Sequence, residues 1–226
     1  MKRFFKIIGL LIAGFFIFSL SSVLIFKFVP IPVTPVMVIR VFEAQFEGRF
    51  IGINKQWRSY DNISPNFFRA VISGEDGRFM SHEGIDWKAV DVAKRYNEIH
   101  KGKKKRGAST ITMQTSKNAF LWHGRNYVRK AIEVYYTYLI EFIWGKKRIL
   151  EVYANIVEFG DGIYGVEEAS QTFFNKSAKE LNKREASLLA AVLPNPRLWC
   201  PARPTRYLEK RVDFIMGRMG SIGLPK

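Results

Sequence analysis

Residues Ile7 to Phe26 read "IIGLLIAGFFIFSLSSVLIF" and contain no charge. At 1.5 Å per residue, about 20 helical residues cross the ~30 Å hydrocarbon core of a bilayer. Lys2, Arg3 and Lys6 precede the run, Lys27 closes it, and Pro30, Pro32 and Pro35 stop any continuing helix. The stretch is too long for a usual signal core and lacks an Ala-x-Ala site. It therefore reads as an uncleaved anchor, with a cleaved signal peptide as the alternative. The basic flank favours a cytoplasmic N-terminus, which places the rest of the chain outside the cytoplasm. The chain then reads as single-pass with an extracytoplasmic body.

That topology changes the meaning of the charge. The chain carries a net +16, and four of its cations but none of its acids lie in residues 1–29, leaving +12 on residues 30–226. Such an excess calls for an anionic partner. Beyond a membrane span that partner is a lipid headgroup or lipid phosphate, not nucleic acid. The basic loop Lys101–Arg106 reads as a flexible loop near headgroups on the same grounds. The single cysteine, Cys200, excludes an intrachain disulfide.

The expected organisation is an anchor with its basic flank over residues 1–29, a connector over 30–60, and one mostly α-helical domain over 61–226. The connector holds a short strand or an amphipathic segment. Ser64 as N-cap and Pro65 at the first helical position predict a helix over 65–74, with Gly74 as its stop. Asp86 caps a second helix, and Ser109 or Thr110 opens a third toward Phe120. Residues 126–144 are apolar around most of their circumference, which predicts a central buried helix. Ile149, Val152, Tyr153 and Ile156 form the next stripe. Asn182 with Glu185 is a capping-box pattern. Leu208, Val212, Ile215, Met216 and Met219 predict a last helix.

The chemistry gathers in "GEDGRFMSHEG", Gly74 to Gly84. A carboxylate at Glu75 would meet the negative end of the preceding helix and the neighbouring charge of Asp76. Both disfavour ionisation, as a general base requires. Glu133 lies four residues after Arg129 and three after Lys130, on a helix with few solvent-facing positions. An ordinary intrahelical ion pair is the alternative reading of that spacing. Glu141 is assigned a structural role. Lys117, Arg125, Arg129 and Lys130 cluster within fourteen residues. Two acids with a nest of cations suit a sugar-phosphate reaction, in which a sugar hydroxyl needs a base and a departing pyrophosphate needs positive charge. A glycosidase has no use for the cations. No His/Cys metal spacing and no phosphate-cradling glycine loop occurs.

These residues resemble the peptidoglycan glycosyltransferases, in particular the monofunctional biosynthetic kind: family 51, the transglycosylase domain of penicillin-binding proteins. "EDGRFMSHEG" matches every fixed position of E-D-x-x-F-x-x-H-x-G. "GASTITMQ" resembles G-G-S-T-I-T-Q-Q, "RKAIE" resembles R-K-x-x-E, and "RILEVYANIVEFG" and "REASLLAAVLPNP" resemble the remaining motifs in order. The resemblance implies a mainly α, lysozyme-like glycosyltransferase fold against the bacterial inner (cytoplasmic) membrane, on its periplasmic or extracytoplasmic side. It implies polymerisation of lipid II with release of undecaprenyl pyrophosphate and inversion at the anomeric carbon. Glu75 is then the base on the acceptor's 4-hydroxyl and Glu133 the second acid. Lys117 and Arg125 hold the donor's phosphates, and Ser109, Gln114 and Asn118 line the cleft. Arg78, Arg129 and Lys130 complete the substrate-binding set. Mg²⁺ assists some family members, although nothing in these residues independently calls for it. The implied partners are lipid II, the growing glycan strand, membrane lipids and proteins of wall synthesis or division.

Two departures stand out. Ala108 replaces a common glycine, and Met113 replaces the first glutamine of the usual pair. The absence of S-x-x-K, S-D-N and K-T-G excludes a transpeptidase site from this sequence. Two rival readings remain at this level. One is a glycan-cleaving enzyme on the same fold, a lytic transglycosylase or muramidase. The other is a non-enzymatic basic membrane protein.

Overall fold

The structure is a computed structural model that describes residues 1–101, 106–124 and 126–225. Nine α-helices run through the described residues. The first, α1 (Lys2–Phe28), contains the whole apolar run and is long and apolar enough to cross a membrane. Most of its surface is bare, but Ser19 and Val23 are buried against the body.

Residues 30–60 fold onto the domain. Thr34 caps α2 (Pro35–Phe46), its side chain accepting from Met37 N, and Met37 and Ala44 enter the core with Ile31. The segment ends in a short strand, β1 (Asn54–Lys55). An apolar side chain every third or fourth residue is what lets so short a helix dock.

The domain centre is α3 (Pro65–Glu75) packed against α8 (Lys183–Val192) and α9 (Arg206–Met219). Ser64 accepts from Asn66 N at the start of α3, and Phe67, Phe68, Val71 and Ile72 are fully covered. The helix runs one residue past Gly74, so Glu75 is its last residue. Asn182 and Glu185 close their reciprocal capping box at the start of α8. On α9, Leu208, Val212, Ile215 and Met219 are buried, whereas Met216 turns outward. Its place one residue after Ile215 rotates it about 100° off the stripe.

Asp86 caps α4 (Trp87–Ile99), accepting from Ala89 N at 2.8 Å. Thr110 caps α5 (Ile111–Phe120), accepting from Met113 N. The longest element is α6 (Tyr127–Ile156), broken at Gly145, whose φ of +71° and ψ of 170° are not helical. The expectation of a central buried helix over 126–144 needs correction. Glu133, Tyr136, Thr137, Ile140 and Trp144 are buried, but Phe142 is 91% exposed and Tyr127 and Val128 are bare. The most continuously buried stretch is the part after the break, where every residue from Ile149 to Ile156 except Glu151 is buried. A helix apolar on all sides is what a central position needs, but a helix that meets both a core and a membrane anchor needs the same pattern.

Two further strands, β2 (Glu158–Gly160) and β3 (Ile163–Tyr164), follow α6. They form a three-stranded sheet in the order β1-β3-β2. The remaining helix, α7 (Val166–Phe174), leads back toward α8.

Candidate active site

Glu75 reaches the site because α3 ends on it. Its side chain is 13% exposed. One oxygen accepts from Gln114 Nε2 on α5 at 2.9 Å, and the other meets Arg211 Nη2 on α9 at 2.8 Å. Burial raises its pKa above the ordinary carboxylate value. Gln114 and Arg211 oppose that shift, and the charge of Asp76 adds to it by the least amount. The sequence argument expected the helix end and Asp76 to dominate, yet burial is the larger cause.

Asp76 turns the opposite way. Its carboxylate lies 3.0 Å from His82 Nε2 through both oxygens and accepts from Ile111 N at 3.0 Å. The acid beside the candidate base is therefore a staple between the Gly74–Gly84 loop and the start of α5. Phe79 is buried beneath the loop, with Lys146 Nζ 4.4 Å from its ring centroid. Lys146 also donates to His82 O and pairs with Glu141 at 2.6 Å, and Glu141 accepts from Thr112. Glu141 is structural, as its sequence position suggested. Gly84 closes the loop at φ +84°, where a Cβ would lie 2.9 Å from Thr137 Cγ2. Only glycine takes that turn against α6 without strain.

Glu133 is 3% exposed. Its carboxylate is held by Arg129, itself 8% exposed, and by Lys130 Nζ at 2.5 Å. Arg129 Nε further donates to Gly124 O at 2.8 Å. This is an intrahelical pair, but burial removes it from the weak surface class. Lys117 lies among them, its pKa lowered by burial and raised back by Glu133. Its ammonium group has no hydrogen-bond partner among the described residues.

The two acids share one hollow of about 300 Å³, lined among others by Ser109, Met113, Lys117, Lys130 and Pro194. A larger hollow of about 980 Å³ opens on the other side of Glu75, with Arg78, Lys88, Arg106, Arg211 and Arg218 along its walls. Glu75, Ser109, Gln114 and Pro194 border both. Glu75 thus stands at the junction of two cation-lined spaces, one small and one large.

The remaining expected residues divide. Arg78 borders the larger hollow, but its guanidinium is forked onto Asp86, with Nε at 2.8 Å from Oδ2. Asn118 is half-buried and borders neither hollow. Arg125 and the middle of the Lys101–Arg106 loop lie outside the described residues. Met113 is buried in the wall of the smaller hollow and contributes shape there. Sequence reasoning missed Arg211. It lies 136 residues from Glu75 on a helix read only for its apolar stripe, and its place one residue before Val212 was the sole local signal. No group of three or more His, Cys, Asp or Glu among the described residues could hold a metal ion.

A transglycosylase family model matches residues 45–220. The biosynthetic peptidoglycan transglycosylase of Bdellovibrio bacteriovorus is 50% identical over 212 residues, covering 94% of this chain and 84% of its own. The protein of the same name from Haemophilus influenzae is 50% identical over 210 residues, covering 92% and 85%. That from Rhodospirillum centenum is 44% identical over 220 residues, covering 97% and 92%. With matches of this extent, and with the motifs folded around one pair of acids, the chain belongs to the transglycosylase family.

Proposed function

We propose that the protein is a membrane-anchored peptidoglycan glycosyltransferase that polymerises lipid II into linear glycan strands. The observation that carries this reading is the shared hollow: Glu75 and Glu133 border one space together with Lys117, Arg129 and Lys130. Glu75 accepts the proton of an acceptor sugar hydroxyl that enters from the larger hollow. The hydroxyl oxygen attacks the anomeric carbon of the donor, and the bond to the pyrophosphate oxygen breaks. Lys117 stabilises the charge that builds on the departing diphosphate, and the more open Lys130 draws the diphosphate in from outside. Both oxygens of Glu133 are occupied by Arg129 and Lys130, so it works by holding those cations.

A buried carboxylate with a raised pKa is a stronger base than a solvated one, yet the Arg211 contact keeps it ionisable. The family's relatives are named for peptidoglycan biosynthesis, and nothing at the site favours cleavage of finished glycan. The same reading places the anchor in the bacterial inner membrane with its N-terminus in the cytoplasm and the domain outside.

The test is turnover of labelled lipid II by the full chain and by Glu75→Gln. Loss of polymer by a factor of about 10³ or more is expected. Unchanged polymer would remove Glu75 as the base. Incubation with purified murein should release no soluble fragments.

A further inference from the structure

The foot of α1 is attached to the body at its carbonyl groups. Helix ends leave their last carbonyls without partners, and here the sequence makes that worse. Residue 30, which would donate to Phe26 O, is a proline with no N–H. Arg148 supplies the missing donors. Its Nε and Nη2 both donate to Phe26 O, at 3.1 and 2.8 Å, and Nη2 also donates to Val29 O at 2.8 Å. One turn up, the indole N–H of Trp144 donates to Val23 O at 2.7 Å. Two turns up, Ser19 Oγ and Tyr135 Oη are 2.8 Å apart. Below the foot, Lys55 donates to Ile31 O.

The donors are themselves braced. Arg148 pairs with Glu151 at 2.5 Å and lies 5.2 Å from the Trp57 ring centroid, and Lys55 approaches the same ring at 5.3 Å. Trp144 and Arg148 lie on either side of the break at Gly145. The contact also reaches the site. Phe26 meets Phe120, the last residue of α5, at 6.3 Å, and Phe120 stacks on Tyr136 at 4.6 Å. Lys117 is three residues before Phe120 on the same helix.

We infer that Arg148, with Trp144, is a positioning residue that clamps the membrane helix to the domain, fixing the height and tilt of the two hollows relative to the bilayer. This rests on the reading of the site as one that takes a membrane-borne donor. A flexible tether would let the domain move against the surface. A clamped one holds the opening where the donor's diphosphate emerges from the lipid. The role predicts a separation by substrate form. A donor embedded in a bilayer depends on the clamp, and a short-chain donor free in solution does not.

Full-length wild type, Arg148→Ala and Trp144→Phe are compared in two settings. In vesicles with long-chain lipid II, Arg148→Ala is expected to lose activity about tenfold or more. In neutral micelles with a short-chain donor, it should stay within about twofold of wild type. Equal losses in both settings, or none in either, overturn the clamp. Trp144→Phe keeps an aromatic ring but removes the N–H with part of the indole, and because that loss of packing is common to both settings, the difference between them decides the matter if Arg148→Ala does not fold. A second readout needs no turnover. With Cys200 replaced by Ser, spin labels at Leu11 and Phe142, both exposed, should give a narrow distance distribution that broadens in Arg148→Ala. A wild-type distribution already broad, or one unchanged by the substitution, rejects the inference. If wild type gives a narrow distribution but turns over neither donor, the reading of the site fails and the clamp stands.

Discussion

The two adjacent acids of the "GEDGRFMSHEG" loop, Glu75 and Asp76, meet different neighbours, and those neighbours set their work. Glu75 faces the hollows with a pKa raised by burial, and Arg211 is the cation that holds it down. Removing Arg211 as Arg211→Met takes away the opposing charge and leaves the burial. The pKa of Glu75 then rises further, so less of it is ionised at a given pH. The acidic limb of kcat/KM moves to higher pH, and along that limb the rate falls about tenfold per pH unit. A pH–rate profile of wild type and variant checks this, and a limb displaced to lower pH contradicts it. Asp76 behaves differently, because its carboxylate is taken up by Ile111 N and His82. Asp76→Ala leaves a buried amide N–H unpaired and should cost about 2 kcal/mol in denaturant unfolding. What activity remains should show a pH limb displaced only slightly, and to lower pH, because the Asp76 charge is the smallest of the causes acting on Glu75.

At the scale of elements, α6 carries Glu133 with its two cations, Arg129 buried beside it and Lys130 about two-fifths exposed. Breaking a buried pair leaves a charge without a partner. Glu133→Gln should therefore cost about 3 kcal/mol of stability along with most of the activity. Adding Arg129→Met removes the stranded cation. The double variant should regain part of the stability, and none of the turnover, relative to Glu133→Gln. A thermal melt beside a polymerisation assay separates the two effects.

The same elements show what a sequence can and cannot express. The caps at Ser64, Asp86, Thr110 and Asn182 were legible because each bond spans two or three residues. The pairing of Glu133 with Arg129 and Lys130 was legible for the same reason. Its depth was not, since burial depends on α5 packing across it. The Arg211–Glu75 contact spans 136 residues and has no periodic signature. The docking of α1 was hidden because an all-apolar run has no polar face to mark the side that meets protein. The two stripes on either side of residue 145 were read apart, but the break at Gly145 itself was not, since a positive φ leaves no trace in hydropathy.

For the whole molecule the governing quantity is the +12 carried by residues 30–226, set against a buried base. Salt screens exposed charges over about 8 Å at physiological strength, and partly buried ones much less. Two of the cations bordering the hollows, Arg78 and Lys130, are about two-fifths exposed, whereas Glu75 is enclosed. Donor and acceptor diphosphates approaching from outside meet the screened field, and proton transfer at Glu75 meets the unscreened one. Raising salt from about 0.05 M to 0.5 M, in neutral micelles with lipid II, should therefore raise KM several-fold and leave kcat within about twofold. Burial is the main cause of the lowered pKa of Lys117, whereas Lys130 is about two-fifths exposed, so Lys117→Ala should weaken donor binding at every salt concentration and Lys130→Ala should flatten the salt dependence itself. A kcat that fell with salt while KM held would mean that the exposed cations act in the chemical step. The division of labour between outer capture and inner transfer would then have to be redrawn.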